Sequence, residues 1–287
     1  MKSKELLIFL IKTSRPRFWS YLFGTFLLGF FISIPDANIR LLTDWKFIVL
    51  LLYFLFPANL FVYGINDLSD EDTDKFNTKK GKQEILLQTS HRRYLKIFVA
   101  LSIFLGVLIS FLIKEILILM LCFLMLSAFY SAPPFRFKMK PFIDSISNVF
   151  YILPGLISYT LNVGQLPTIS TLLIISIWPI AMHLYSAIPD IDADQKAGLR
   201  TTAVVIGENL SLIFCAILWS IFTGAIILSG LYHPISLILL VYPLLPLLNL
   251  NFKKFKISKT YWYFPYINFV IGFGASMLVI YNLYLMT

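Results

Sequence analysis

Long apolar segments, repeated along almost the whole chain, most constrain how this protein can fold. A helix needs about 20 predominantly apolar residues to cross a bilayer. We count nine such segments, at residues 18–34, 47–65, 94–113, 116–130, 142–161, 169–188, 210–231, 234–250 and 261–286. Hydrophobic residues make up 58% of the chain and charged residues only 14%, so no separate soluble domain is evident. We therefore predict an all-α integral membrane protein with a single domain over residues 1–287.

The basic residues are distributed unequally between the two sides of the predicted membrane. If the amino terminus is cytoplasmic, all but three of the 24 Lys and Arg residues fall on the inner side, the exceptions being Arg40, Lys46 and Lys114. The positive-inside rule describes this bias. The sequence thus predicts nine transmembrane helices in a cell membrane, with a cytoplasmic amino terminus. Topology and anionic lipid account for the net charge of +9, so nucleic acid is not an expected partner.

Residues 66–74 form an acidic segment at the inner end of the second apolar segment. They read N-D-L-S-D-E-D-T-D, with five acidic residues in nine positions. If this segment continues the preceding helix, Asp67, Asp70 and Asp74 line one face, with Asn66 beside Asp67. Such a face repels itself unless cations lie between the carboxylates, and oxygen ligands favour a hard ion such as Mg²⁺. A solvated acidic loop is the alternative interpretation.

A second acidic group follows the sixth apolar segment, on the same predicted side of the membrane. Asp190 and Asp194 lie at i and i+4 and can share one ion, whereas Asp192 is turned away from their face. Carboxylates at a membrane boundary cost up to about 3 kcal/mol each when drawn into the apolar region, so grouped ones require a functional explanation. The offset of four helices suggests a weak internal repeat, with both groups directed towards a shared polar mouth.

Basic side chains accompany both acidic groups. The inner loop 130–141, Y-S-A-P-P-F-R-F-K-M-K-P, carries Arg136 and Lys138, while Lys79 follows the first acidic group and Arg200 follows the second. Mg²⁺ held by carboxylates and bridged to phosphate oxygens, with Lys and Arg completing the shell, is a recurring way to bind a diphosphate. For any one of these cations, ordinary inside positive charge is the alternative.

Three motifs together resemble the UbiA superfamily of intramembrane prenyltransferases. They are N-D-x-x-D-x-x-x-D at 66–74, Y-S-A-P-P-F-R-F-K at 130–138 and D-x-x-x-D at 190–194. The resemblance covers essentially the whole chain. It implies a bundle of nine helices around a central cavity, in which two Mg²⁺ ions bind an isoprenoid diphosphate.

The resemblance also implies roles for individual residues. Metal ligands are expected at Asn66, Asp67, Asp70, Asp74, Asp190 and Asp194, and catalytic roles at Asp67, Asp70, Asp190 and Asp194. Substrate contacts are expected at Asn66, Lys79, Tyr130, Arg136, Lys138 and Arg200. As the allylic carbon–oxygen bond breaks, Mg²⁺ and the basic side chains stabilise the negative diphosphate, and aromatic faces stabilise the positive prenyl carbon.

The acceptor is less constrained than the donor. Residues 11–19, 130–144 and 188–203 look most like the branch that includes lycopene elongases, so we expect transfer from the diphosphate to a lipophilic acceptor in the bilayer, with the end of a carotenoid such as lycopene favoured. A quinone precursor and geranylgeranylglyceryl phosphate stay open as acceptors. A divalent-cation transporter is the alternative from another class, although it would more naturally place aspartates at mid-membrane on broken helices.

Overall fold

A computed structural model of the chain describes residues 3–34, 39–70, 81, 84–229, 234–252 and 254–285. The α-helices of this part are α1 Ser3–Thr13, α2 Phe23–Ser33, α3 Trp45–Leu55, α4 Pro57–Ser69, α5 Thr89–Leu112, α6 Leu117–Ser131, α7 Ile143–Ile146, α8 Leu153–Val163, α9 Ile169–Ala187, α10 Ile191–Lys196, α11 Thr202–Leu228, α12 Val241–Asn251 and α13 Ile257–Leu285. Short 3₁₀ helices join several of them. The predicted all-α fold is confirmed.

The helices have the lengths and composition of a multi-pass membrane protein. Within the described residues, seven helical segments are long and apolar enough to cross a membrane: Trp45–Ser69, Thr89–Leu112, Lys114–Ser131, Ile143–Val163, Ile169–Lys196, Thr202–Leu228 and Ile257–Tyr281. The predicted span 234–250 coincides with a shorter apolar helix, Ser236–Asn251. The predicted span 18–34 coincides with a 3₁₀ helix, Pro16–Tyr21, followed by α2. The count of nine spans and the cytoplasmic amino terminus therefore stay predictions.

The chain divides into two compact units. The first comprises Met1–Arg136, Leu153–Leu166 and Gly272–Thr287, and the second comprises Phe137–Ile152 and Pro167–Ile271. The first acidic motif belongs to the first unit and the second motif to the second unit. The single domain predicted for residues 1–287 stays a prediction.

In the first unit, α2 and α8 touch backbone to backbone. A Cβ atom on Gly29 would overlap the carbonyl oxygen of Gly155, and a Cβ atom on Gly155 would lie 2.8 Å from the carbonyl oxygen of Thr25. The Ser158 hydroxyl donates across the same pair to the carbonyl oxygen of Phe26, at 2.7 Å. Small residues permit this close approach, and interhelical hydrogen bonds add to it in apolar surroundings.

A proline separates α3 from α4, within the span that ends at the first acidic motif. Pro57 has no N–H to donate and disrupts the helical hydrogen bonds around it. The Asn59 side-chain amide donates to the carbonyl oxygens of Phe54, at 2.8 Å, and Leu55, at 3.1 Å. Backbone groups in a membrane need partners from the protein, so Asn59 stabilises the break from which α4 starts.

Four aromatic side chains pack together in the core of the second unit. Trp219 of α11 lies 5.5 Å from Tyr185 of α9 and 5.3 Å from Phe264 of α13, measured between ring centroids, and Tyr242 of α12 lies 5.7 Å away. The Tyr185 hydroxyl donates to Asn249 Oδ1 at 2.6 Å, which satisfies the polar end of a buried ring. This cluster fixes the end of α9, from which the second acidic motif follows.

Candidate active site

The first acidic motif lies at the carboxyl end of α4. Asp67, in the last turn of the helix, is only 2% exposed, and Asp70 is 6% exposed. The helix ends at Ser69, and Asp70 caps it with φ −108° and ψ 12°. The condition for a helical face shared by Asp67, Asp70 and Asp74, that the helix continues, is therefore not met at Asp70. Asp74 itself lies outside the described residues, as does Lys79.

Two arginine side chains bind backbone carbonyls at the end of α4. Nη2 of Arg92 donates to the carbonyl oxygen of Leu68 at 3.4 Å, and Nη2 of Arg136 donates to that of Ser69 at 3.1 Å. The last carbonyls of a helix have no partner within the helix and carry the negative end of its dipole. The guanidinium groups satisfy two of these carbonyls, those of Leu68 and Ser69. Arg136 also reaches Asp70, with Nη2 3.6 Å from Oδ1.

A third arginine, Arg15, binds the same motif from the segment after α1. Its Nη2 lies 2.9 Å from Asp67 Oδ1, 3.0 Å from Glu84 Oε2 and 3.5 Å from Asn66 Oδ1. The guanidinium carbon is 4.9 Å from the centre of the Tyr63 ring, a distance typical of a cation–π contact. Burial lowers the pKa of Arg15, but the charges of Glu84 and Asp67 outweigh burial and raise the pKa above its ordinary value. Arg15 is therefore a permanent cation beside Asp67.

Arg15 and Arg136 share an unusual backbone conformation. Both have positive φ, 52° for Arg15 and 40° for Arg136, in a region that residues other than glycine seldom occupy. Such a conformation costs of order 1 kcal/mol and persists only where the surrounding structure holds it, most often at functional sites. The strained conformations of Arg15 and Arg136 therefore indicate a functional site at the first motif, and this indication does not depend on the carboxylates.

Asn66 directs its carbonyl oxygen towards the charges of the motif. Its Nδ2 donates to Ser131 Oγ in α6 at 3.0 Å, next to Tyr130, which is half-buried. Asn66 Oδ1 and Asp67 Oδ1 then both face the guanidinium of Arg15. Amide and carboxylate oxygens that converge on one cationic group are the donors that Mg²⁺ prefers.

Three of the oxygen donors expected in the first motif, Asn66, Asp67 and Asp70, lie among the described residues. Among the described residues, no three His, Cys, Asp or Glu side chains form a group that could hold a metal ion. The remaining carboxylate of the first motif, Asp74, lies outside those residues. The oxygens present at Asn66, Asp67 and Asp70 nevertheless have the chemistry that a divalent cation requires.

The second acidic motif spans the 3₁₀ helix Ile188–Asp190 and α10. Asp190 and Asp194 are half-buried, whereas Asp192 is exposed, as expected for a residue turned away from the other two. Thr201 donates its hydroxyl to Asp194 Oδ2 at 3.2 Å. In the same unit, Arg200 is exposed between α10 and α11.

The basic loop predicted to bind substrate is divided between the two units. Arg136 contacts the first motif through the hydrogen bond and the ion pair described above. Lys138 lies in the 3₁₀ helix Phe137–Met139, where it is half-buried. The contribution of Lys138 to the site stays a prediction.

Sequence reasoning missed three charged partners of the first motif: Arg15, Glu84 and Arg92. The R-P-R segment at residues 15–17 gave no usable signal, because a residue before proline is expected to be extended, whereas Arg15 has φ 52° and ψ 70°. Its partner Asp67 lies 52 positions further along the chain. Only the tertiary structure brings these residues together.

The multi-pass helical fold and the buried, arginine-bound first motif agree with the class of protein that the sequence motifs indicate. The model of the UbiA prenyltransferase family matches residues 22–270, which is most of the chain. The chain belongs to this family. It is thus an enzyme, and the alternative of a divalent-cation transporter is set aside.

Similar proteins agree with this assignment. A lycopene elongase/hydratase from Haloarcula japonica is 36% identical over 96% of this chain and 92% of its own length. A lycopene elongase/hydratase from Corynebacterium glutamicum is 29% identical over 96% of this chain and 98% of its own length. A UbiA homolog from Archaeoglobus fulgidus, solved with DMAPP and Mg²⁺, has the same fold, with a TM-score of 0.73, 21% identity and coverage of 95% of this chain and 99% of its own.

Proposed function

We propose that this enzyme transfers a prenyl group from an isoprenoid diphosphate to the end of an acyclic carotenoid such as lycopene. One observation carries the proposal. The side-chain oxygens of Asn66 and Asp67 converge on the guanidinium of Arg15, at a buried helix end. The acceptor is supported by relatives named lycopene elongase/hydratase, one of them 36% identical over nearly the full length of both chains.

Divalent metal belongs to the proposed mechanism, and the two acidic motifs would hold it. The ligands would be Asn66, Asp67, Asp70 and Asp74 from the first motif and Asp190 and Asp194 from the second, for two Mg²⁺ ions. When bound, Mg²⁺ supplies positive charge that neutralises diphosphate oxygens. The UbiA homolog solved with DMAPP and Mg²⁺ supports Mg²⁺ as the ion and an isoprenoid diphosphate as the prenyl donor.

The basic side chains would stabilise the leaving diphosphate. As the allylic carbon–oxygen bond breaks, its electron pair goes to the diphosphate, and cations already fixed nearby stabilise that charge without having to reorganise. Arg136 is suited to this role because its guanidinium is held at the first motif by Ser69 and Asp70. Lys79, Lys138 and Arg200 are proposed to act in the same way, and Tyr130 to contact the prenyl group.

The prenyl carbon is left positively charged and is then attacked by the terminal double bond of the carotenoid. The new carbon–carbon bond leaves a cation on the acceptor. Loss of a proton from the acceptor, or addition of water followed by loss of a proton, returns it to neutrality. The new carbon–carbon bond corresponds to the word elongase in the names of the relatives, and the addition of water corresponds to the word hydratase.

The reaction is proposed to take place at the cytoplasmic side of the cell membrane. Both acidic motifs follow apolar segments at ends where Lys and Arg are concentrated, and cytoplasmic ends carry that excess. A diphosphate donor is water-soluble at one end and apolar at the other, so a site at the boundary can bind both ends. The bilayer would supply the carotenoid from the side.

A panel of acceptors tests the proposal. Purified enzyme in vesicles is given Mg²⁺ and labelled dimethylallyl or geranyl diphosphate, with lycopene, a quinone ring precursor or geranylgeranylglyceryl phosphate as acceptor. We expect labelled product only with lycopene, with a mass higher by one prenyl unit, or by one prenyl unit and one water. Product formed with another acceptor instead would overturn the carotenoid assignment and leave the class of enzyme intact.

A further inference from the structure

One fully buried carboxylate of the second unit, Asp144, has no role in the proposed reaction. It lies in the short helix α7 and is 0% exposed. Its Oδ2 accepts the N–H of Thr202 at 2.7 Å, and its Oδ1 accepts the N–H of Ser145 at 2.7 Å and also the hydroxyl of Thr202. Both polar groups of Thr202 are thus held by a single carboxylate.

The location of Thr202 accounts for a buried charge at this point. Thr202 is the first residue of α11, where helical N–H groups lack partners and the dipole favours an anion. Hydrogen bonds to a carboxylate are stronger than those between neutral groups. The Thr202 hydroxyl also accepts the N–H of Phe142 at 2.6 Å, so its proton is directed to Asp144. The start of α11 is therefore clamped to the segment around α7.

The neighbouring threonine connects this clamp to the second acidic motif. Thr201 caps α11, since its Oγ1 accepts the N–H of Val204 at 3.4 Å. The same hydroxyl donates to Asp194 Oδ2 at 3.2 Å. Two adjacent threonines at one helix start therefore bind two different carboxylates, Thr202 binding Asp144 and Thr201 binding Asp194.

Helix α11 by itself does not fix the positions of Thr201 and Thr202. Gly207 interrupts the helix with φ 79° and ψ 170°, which separates residues 202–206 from the long apolar part that follows. A short turn beyond a kink needs contacts of its own to be held in place. Within the described part of the second unit, the carboxylate of Asp144 provides such contacts on the motif side of the kink.

We propose that Asp144 is a positioning residue for the second acidic motif: it clamps Thr202, and thereby fixes Thr201 and the orientation of the Asp194 carboxylate towards a divalent cation. The proposal rests on the proposed function, in which Asp194 is a metal ligand. Groups that orient a ligand side chain typically change metal affinity by about 10- to 100-fold when removed. Asp144 does not itself contact the substrate in this account.

Four variants separate positioning from simple stability. Asp144→Asn weakens the clamp, Thr201→Val removes the hydrogen bond to Asp194, and Thr202→Ser keeps both polar groups. Thr223→Val is the matched control, because Thr223 is a buried threonine of the same helix whose hydroxyl, among the described residues, donates to the backbone carbonyl of Leu239. Binding of Mn²⁺ in the presence of inorganic pyrophosphate is measured by electron paramagnetic resonance, with the melting temperature and the Mg²⁺ dependence of turnover.

We expect Asp144→Asn and Thr201→Val to weaken Mn²⁺ binding by about tenfold or more and to raise the Mg²⁺ concentration for half-maximal turnover in parallel. Thr202→Ser and Thr223→Val should bind Mn²⁺ as the unmodified enzyme does. If Asp144→Asn does not fold, unchanged Mn²⁺ binding by Thr201→Val overturns the proposal. The proposal is also overturned if Asp144→Asn and Thr201→Val lower the melting temperature but leave Mn²⁺ binding unchanged. Failure of the unmodified enzyme to bind Mn²⁺ with pyrophosphate would instead overturn the proposed function, together with this inference.

Discussion

Replacing Asp67 with Asn is expected to lower prenyl transfer by at least about 10²-fold while the protein stays folded, because loss of one preorganised charge-stabilising group typically has an effect of this size. Asp67 is buried and lies 2.9 Å from Arg15. Asn has the same shape and keeps a carbonyl oxygen for that contact, but it removes the negative charge that a divalent cation requires. The measurement is turnover of labelled prenyl diphosphate at saturating Mg²⁺, with the melting temperature measured in parallel.

Asp192→Asn is the matched control for this experiment. Asp192 belongs to the second acidic motif but is exposed, unlike Asp190 and Asp194. The same change of charge there should leave turnover within about twofold, since an exposed side chain that is turned away from the proposed ligands contributes little. Full activity of Asp67→Asn would mean that the first motif is only a structural helix end, and it would contradict the assignment of Asp67 as a catalytic ligand.

Gly29→Ala is expected to destabilise the first unit by at least about 3 kcal/mol, the upper part of the range for overpacking a well-packed core. The added methyl group would overlap the backbone of Gly155, where no flexible side chain can move aside. Helices α2 and α8 would have to separate, which would also lengthen the hydrogen bond from Ser158 to Phe26. The free energy of unfolding in detergent micelles measures the effect.

Gly24→Ala provides the control in the same helix. A methyl group on Gly24 would meet Ser20 Cβ at 3.7 Å, an ordinary contact, and alanine is a better helix former than glycine by about 1 kcal/mol. We therefore expect Gly24→Ala to be neutral or stabilising. If the two substitutions change the free energy of unfolding equally, the close packing of α2 against α8 at Gly29 does not stabilise the first unit as described.

The helical membrane fold could be predicted from the sequence because apolar length alone limits the possible structures. Segments 47–65 and 94–113 coincide with helical segments long enough to cross a bilayer, since a spanning backbone must satisfy its own hydrogen bonds. Helix interruptions were harder to predict. The break at Pro57 depends on the Asn59 side chain, and apolar composition does not distinguish one long helix from two.

The acidic members of the candidate site could also be identified from the sequence, because Asp67 and Asp70 are conspicuous in an apolar chain. The end of α4 at Ser69 could not be predicted from the sequence, since arginine side chains from distant positions bind its last carbonyls. Arg15 and Asp144 were not recognised as part of either motif. Their importance lies in contacts with residues more than 50 positions away, and spacing along the chain does not reveal such contacts.

The most direct test of the central claim is the stoichiometry of the reaction in vesicles containing lycopene. Unmodified enzyme is given labelled dimethylallyl diphosphate, and released diphosphate and prenylated carotenoid are counted together, with and without Mg²⁺. Our account predicts one diphosphate released for each prenyl group transferred, and neither product after Mg²⁺ is removed. Diphosphate release without carotenoid product, or transfer that continues without any divalent cation, would contradict it.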